Sequence, residues 1–146
     1  GCVLIKRTRK RYGFGKLSQG RFYYMLRVQV GQKDPLVLES MMLQWGGSVR
    51  LGRTAGRGPY AENPIYSWVI YSEKAEAFLR TIFPHVIVKR RQLELAFAFQ
   101  DHVRTFHLPA LRADHDAYAI AEKTRHQMYL DLQALKRQPL QLAQVG

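Results

Sequence analysis

Hydrophobic and polar positions alternate along residues 21–30, RFYYMLRVQV. This period of two predicts a strand with one buried face and one exposed face. The buried face would carry Phe22, Tyr24, Leu26, Val28 and Val30. Residues 2–11, CVLIKRTRKR, predict a second strand, and the glycine-containing polar stretch 12–20 predicts the hairpin connection that pairs the two strands antiparallel.

The pattern then changes to the helical period. Asp34 as N-cap and Pro35 at the first helical position predict a helix start, and Gly46-Gly47 predicts its end. Residues 48–54 and 65–72 predict a second hairpin. Further helices are predicted after Ser72, which can cap the first of them, then from about residue 89 to 103, and over residues 117–136.

The order of elements, ββ-α-ββ-α-α-α, defines the expected fold class. Strand pairs separated by helices predict an α+β domain, in which two hairpins form a four-stranded antiparallel sheet and helices pack on one face. We expect a ββαββα core over residues 1–103 and a C-terminal helical extension over residues 104–146. The other sheet face would remain exposed, and it would carry the basic side chains of the strands.

Length and composition exclude some classes of protein. The 146 residues suffice for one domain with a core. No apolar run approaches the roughly 20 residues that a membrane-spanning helix needs, and no signal-peptide pattern is visible at the N-terminus. Cys2 is the single cysteine, so no internal disulfide can form. These features predict an intracellular protein without a membrane partner.

Charge predicts the partner. Lys and Arg total 23 against 11 acidic residues, and the first 33 residues contain nine cations and no Asp or Glu. Such asymmetry favours binding of a polyanion, above all a nucleic acid; an anionic membrane surface, an acidic protein partner or plain solubility are the alternatives. Antiparallel ribbons fit the major groove, where Arg and Lys read guanine and Gln reads adenine. The candidate contacts on the exposed sheet face are Lys6, Thr8, Lys10, Arg21, Tyr23, Arg27, Gln29, Arg50, Arg53 and Ser67.

Other chemistry has little support in the sequence. The histidines of the C-terminal third lie near several aspartates, as in ADHDAY, but no HExxH or Cys/His pairing accompanies them. No GxSxG turn suggests a nucleophilic serine, and the glycines near residues 13–15 and 46–52 lack the Lys-Ser/Thr context of a P-loop. The plain alternative for the basic strands is a solvated sheet face.

Three segments together resemble a known family. They are the opening GCVLIKRTRK, residues 26–50 (LRVQVGQKDPLVLESMMLQWGGSVR) and residues 66–95 (YSWVIYSEKAEAFLRTIFPHVIVKRRQLEL). Over about residues 1–100 the chain resembles the single-motif LAGLIDADG homing endonucleases. The resemblance implies a saddle-like sheet over double-stranded DNA, formed by two units as a homodimer or as one chain with a second fused repeat. Gly1 matches the glycine that closes the family's motif helix.

The resemblance also implies a reaction, site-specific and Mg²⁺-dependent phosphodiester hydrolysis. Gln32 matches a residue that orients solvent, and Lys89 matches a lysine beside the scissile phosphate; Arg90 and Arg91 are then available to backbone phosphates. In the family, Mg²⁺ is held by the acid that ends the motif helix. Residues 1–146 lack that motif helix and its acid, so we expect them to be catalytically incomplete alone and to cut DNA only if the acid is present in the full chain.

Two other functions remain open at this point. The first is a nucleic-acid-binding module without catalysis, either a DNA-binding regulator or an RNA maturase of the same fold. The second is an unrelated basic accessory protein, for instance a ribosomal one. The residue before Gly1 and the salt dependence of DNA binding would separate these possibilities.

Overall fold

The computed structural model describes residues 1–12, 16–52, 64–111 and 113–138, with only the backbone described for residues 10–12 and 16–21. Within these ranges one antiparallel sheet has the strand order β1-β2-β4-β3. Its strands are β1 (Cys2–Tyr12), β2 (Lys16–Gln32), β3 (Ser48–Leu51) and β4 (Tyr66–Tyr71). The helices are α1 (Pro35–Trp45), α2 (Ser72–Ile82), α3 (Arg90–Thr105) and α4 (His115–Arg137), and they confirm the predicted α+β class.

The strand register separates an inner face from an outer face. Ile5 pairs with Leu26, and Val28 pairs with Ile70. These four side chains are almost completely buried under the helices. Directly opposite residues share a face and neighbours along a strand alternate. The outer face therefore carries the positions between them, as the alternation in residues 21–30 predicts.

Local chemistry defines the helix that follows β2. Asp34 accepts a hydrogen bond from the amide of Leu36 at 2.9 Å, and Pro35 begins α1. Gly46 and Gly47 end it with φ angles of 78° and 84°. A methyl group on Gly47 would lie 2.5 Å from the carbonyl oxygen of Val69, so this approach to β4 requires glycine.

The hydrophobic core contains residues of the sheet and of the helices packed on it. Trp68 of β4, Phe99 of α3 and Leu132 of α4 are completely buried in one cluster with the inner sheet face. The ring of Trp68 meets Phe78 of α2 edge-on, with 5.1 Å between ring centroids. Because Leu132 belongs to this cluster, α4 packs on the sheet. A domain boundary near residue 103 stays a prediction.

Some local details differ from the expectations. Tyr71, without a side-chain capping bond, is the N-cap of α2, and Ser72 is the first helical residue with a φ of 51°. Within the described residues, β3 ends at Leu51. Helix α4 begins at His115, two residues earlier than predicted. Asp114 explains the earlier start, since its carboxylate accepts a hydrogen bond from Ala117 at 3.0 Å. No helix in the described ranges combines the length and apolar character needed to cross a bilayer.

Candidate nucleic-acid interface

The outer sheet face gathers most of the side chains that the sequence singles out for DNA. Thr8 lies opposite Tyr23, and Arg50 lies opposite Ser67. No outer-face position in the described part of the strands is acidic. The predicted contacts that share this face are Lys6, Thr8, Tyr23, Arg27, Gln29, Arg50 and Ser67. The side chains of Lys10 and Arg21, and the whole of Arg53, lie outside the described residues.

Hydrogen bonds orient the polar groups at the centre of this face. Arg27 donates from Nη2 to Gln29 Oε1 at 2.8 Å, and Gln29 donates from Nε2 to Ser67 Oγ at 3.2 Å. Because a guanidinium has donors only, it requires the amide oxygen of Gln29 to face it. The chain Arg27–Gln29–Ser67 therefore fixes which way the amide points. One N–H and one oxygen lone pair of Gln29 remain for a further partner.

An aromatic ring supports the cations beside that chain. Tyr71 of β4 lies opposite Arg27, and its ring centroid is 6.0 Å from Arg27 Cζ and 5.8 Å from Lys6 Nζ. Such contacts hold cations over the negative face of the ring. Arg27 Nε is buried and has no hydrogen-bond partner in the described part of the chain. The guanidinium is thus held in place without being fully saturated by the protein.

Val69 makes the outer face different from a simple solvated surface. It lies on the outer side of β4, opposite Gln29 and Ser48, yet only 4% of it is exposed. Polar side chains of the neighbouring strands therefore cover an apolar centre. Alternation along β4 is enough to put Val69 on this face, but its burial depends on the size of the side chains across two strand pairs.

The two predicted catalytic residues lie at the end of the sheet where β1 starts. Lys89 is the N-cap residue of α3, and its ammonium donates a hydrogen bond to the carbonyl oxygen of Gly1. A methyl group on Gly1 would lie 3.4 Å from Val30 Cγ2. Gln32 comes two residues after Val30, at the exposed end of β2 opposite Tyr66. The packing thus brings both to the same end of the β1–β2 pair.

Lys136 is a third polar residue at this end, and sequence reasoning missed it. It is half-buried in the last turn of α4. Burial lowers the pKa of Lys136; Cys2 partly offsets this effect, and Lys89 adds to it. Lys136 follows the buried Leu132 by four residues, which puts both on one helix face. A lysine that continues an apolar stripe was the signal available in the sequence.

Arg90 and Arg91 are exposed in the first turn of α3. The guanidinium of Arg90 lies over the ring of Phe83, 4.6 Å from its centroid, and 3.7 Å from the carboxylate of Glu94. The first turn of α3 contains no acid. With Lys89, these arginines make the start of α3 a positively charged helix N-terminus, which favours anions.

Carboxylates and imidazoles are the side chains that could hold a metal ion. Among the described residues, no group of three or more His, Cys, Asp and Glu side chains is arranged to hold one. Asp114 of the ADHDAY segment caps α4 instead. The described side chains therefore offer no cluster of three protein ligands for a metal ion.

Comparisons with known proteins identify the fold. No protein-family model matches the chain, and no curated protein matches it. The homing endonuclease I-CvuI, solved with the I-CreI target and Mg with its DNA not cleaved, superposes with a TM-score of 0.66 at 12% identity. That match covers 94% of this chain and 75% of I-CvuI.

Two further solved structures agree. The LAGLIDADG homing endonuclease I-GzeII in complex with its DNA target has a TM-score of 0.54 at 12% identity, over 88% of this chain. I-SmaMI bound to uncleaved DNA in the presence of calcium ions has a TM-score of 0.51 at 16% identity, over 91%. This chain spans 39% of the length of each. The chain has the fold of the LAGLIDADG homing endonucleases, which confirms the resemblance at the level of fold.

Proposed function

We propose that this chain binds double-stranded DNA across the outer face of its sheet. The observation that carries the proposal is the face itself. It presents cations from several strands, no acid at its described positions, and the oriented chain Arg27–Gln29–Ser67. The three structural neighbours described above were each solved with DNA.

The contacts follow from the chemistry of each group. Lys and Arg side chains on the face bind phosphates and guanine edges. Gln29 keeps one donor and one acceptor free, which is the pair that reads N7 and N6 of adenine in the major groove. Because the amide is already oriented, it loses little conformational freedom on binding. Arg90 and Arg91 bind backbone phosphates at the start of α3.

The proposal extends to phosphodiester hydrolysis of the homing type. Charge accumulates on the phosphoryl oxygens during hydrolysis, and Lys89 supplies a positioned cation for that charge. Gln32 orients solvent at the same end of the sheet. The described residues offer no carboxylate cluster for Mg²⁺. Metal-dependent cleavage is therefore proposed for a protein in which an acid precedes Gly1, working as a homodimer or beside a second fused unit. We propose an intracellular location for this activity.

A non-catalytic role is the second candidate. The same outer face would serve a DNA-binding regulator or an RNA maturase of this fold, because nucleic-acid contact requires cations and amides rather than carboxylates. Cleavage assays separate the two. The binding module would be a protein with an acid before Gly1 that binds DNA at nanomolar concentration. In the presence of Mg²⁺ it would never cut its selected site.

The primary test is a titration of duplex DNA at several salt concentrations. Neutralising 6–10 phosphates makes affinity fall by about 10³–10⁵ between 50 and 200 mM salt. A slope of this size is the expected result. An affinity that does not change with salt would overturn the DNA-binding proposal, whatever its magnitude.

A further inference from the structure

The β1–β2 pair extends beyond the rest of the sheet. The pairing of β2 with β4 stops at Arg27 and Tyr71, while β2 continues back to Lys16 and there pairs, among the described residues, only with β1. This two-stranded part, the free ribbon, comprises residues 5–12 of β1 and 16–26 of β2, which lie beyond the Arg27–Tyr71 pair. Its outer side carries Lys6, Thr8 and Tyr23. An isolated two-stranded ribbon is marginally stable and needs support from another element.

Helix α4 supplies that support at the open edge of β2. The backbone amide of Phe22 donates a hydrogen bond to the carboxylate of Glu122, with 3.2 Å between N and Oε1. This carboxylate takes the place of the strand partner that β4 no longer provides. One helical turn later, His126 Nδ1 lies 2.8 Å from the hydroxyl oxygen of Tyr24.

The spacing of these contacts is matched on both elements. Glu122 and His126 are four residues apart on α4, a rise of about 6 Å. Phe22 and Tyr24 are two residues apart on β2, about 6.7 Å. Tyr129 adds a third contact, with its ring centroid 6.1 Å from that of Tyr24 and 5.2 Å from the guanidinium of Arg7 on β1. The helix is therefore in register with both strands of the ribbon.

The contact between α4 and β2 is part buried and part open: Tyr24 belongs to the core cluster, and Tyr129 packs against that cluster. A hollow of about 370 Å³ lies between the two elements, lined by Phe22, Tyr24, Ala119, Glu122, Lys123 and His126. Glu122 lines this hollow and is not part of the core cluster. Loss of its carboxylate should therefore loosen the edge of the ribbon without opening the core.

We propose that Glu122 and His126, with Tyr129, form an α4 brace that holds the free ribbon in the orientation in which it binds DNA. The inference rests on the proposed function and deepens it. These residues face the helix layer, not the outer face, so they act through Lys6, Thr8 and Tyr23 as positioning residues. A ribbon that is already ordered loses less freedom on binding. The gain in DNA-binding free energy cannot exceed the free energy of the contacts that order the ribbon.

The test compares Glu122→Ala with Glu122→Gln. Both remove the same negative charge, so their general electrostatic effects on DNA binding cancel. The glutamine keeps an oxygen that accepts from Phe22, and the alanine does not. We expect Glu122→Ala to bind duplex DNA roughly two- to tenfold more weakly than Glu122→Gln, the range that one hydrogen bond allows. Its salt slope should also be smaller, by about one for each phosphate that the ribbon no longer neutralises.

Two more measurements show whether the effect comes from the brace. Hydrogen exchange at the Phe22 amide should be faster in Glu122→Ala than in Glu122→Gln, by more than the change at core amides of α3 and β4. A loss of global stability alone would not change the salt slope of a protein that is still folded. Equal affinities and equal slopes in the two variants would overturn the brace, as would equal exchange at Phe22.

Tyr24→Phe guards against misfolding of the alanine variant. It removes the hydroxyl that meets His126 and keeps the buried ring. If Glu122→Ala does not fold, unchanged DNA affinity and salt slope in Tyr24→Phe would overturn the proposal. A lower DNA affinity with a smaller salt slope would support it. An unsubstituted chain without salt-dependent binding is a different outcome: it would overturn the proposed function, and the role of the brace in binding with it.

Discussion

The ammonium group of Lys89 donates a hydrogen bond to the backbone carbonyl of Gly1, which lies 88 positions earlier in the chain. The start of α3 thereby meets the start of β1. Lys136 approaches the same point from the last turn of α4, close enough that Lys89 helps to lower its pKa. The contact between Lys89 and Gly1, with Lys136 nearby, thus lies at the end of the sheet where β1 starts.

Lys89→Ala should abolish most cleavage while leaving DNA binding largely intact. Removing one donor that stabilises charge in the transition state costs a factor of about 10²–10³ in the rate. The measurement is single-turnover cleavage of a selected site at saturating protein, with Mg²⁺, in a protein whose residue before Gly1 is acidic. Lys74→Ala on α2 is the matched control, because Lys74 is an exposed lysine on the helix side of the sheet. Equal rates for the Lys89 and Lys74 variants would remove Lys89 from the proposed site.

Arg27→Ala and Gln29→Ala should weaken DNA binding in different ways. Loss of the Arg27 cation should lower affinity for all duplexes and reduce the salt slope by about one. Loss of Gln29 should leave the slope unchanged and reduce discrimination at one adenine by about 1–3 kcal/mol. Binding isotherms on a randomised duplex library, read by sequencing at two salt concentrations, separate the two effects. Identical behaviour of both variants would contradict the separate roles assigned to them.

The sheet could be predicted because its signals are local. A period of two in β2 determines which side chains face the helices, and the residues around Asp34 and Gly46 determine where α1 begins and ends. The outer-face candidates follow directly from that alternation, since the register only has to bring neighbouring strands together. For this part of the site, the pattern along one strand contained nearly all the information.

The contacts made by α4 could not be predicted in the same way. Its contact with β2 uses a glutamate and a histidine, which carry no hydrophobic signal, and the partners are 100 and 102 residues away. The burial of Val69 depends on side chains of two other strands. The position of Lys136 depends on how the last turn of α4 packs against β1. Each of these features arises from tertiary packing between distant segments, which the pattern along the chain does not specify.

Leu132→Ala tests whether α4 is part of the core. Leu132 is completely buried among residues of the sheet and of α3. Truncating such a leucine should lower the unfolding free energy by about 2–5 kcal/mol. Leu130→Ala is the control, because Leu130 is 44% exposed on the same helix and should change stability by about 0.5 kcal/mol or less. Urea unfolding measures both variants. A small effect at Leu132 would mean that α4 is an appendage that the domain does not need.

Stability should fall as the pH is lowered through the range in which histidine titrates. Burial, and then the nearby Arg125, lowers the pKa of His102 below its ordinary value. Arg125 is itself buried, and it donates from Nη2 to the carbonyl oxygen of Phe106 at 2.5 Å. The fold therefore favours the neutral imidazole. The unfolded chain binds a proton at about pH 6.5, where the folded chain still resists it.

The sign follows from this difference in proton binding. The contribution of His102 to stability is fully present above about pH 6.5, decreases as the pH falls below that value, and levels off below the folded pKa. Urea unfolding at pH 7.5 and at pH 5 should show the loss, and His102→Asn should reduce it. His85→Asn, at an exposed position after α2, should leave the pH dependence as it is in the unsubstituted chain. If the two variants respond alike to pH, protonation of His102 is not the cause of the change.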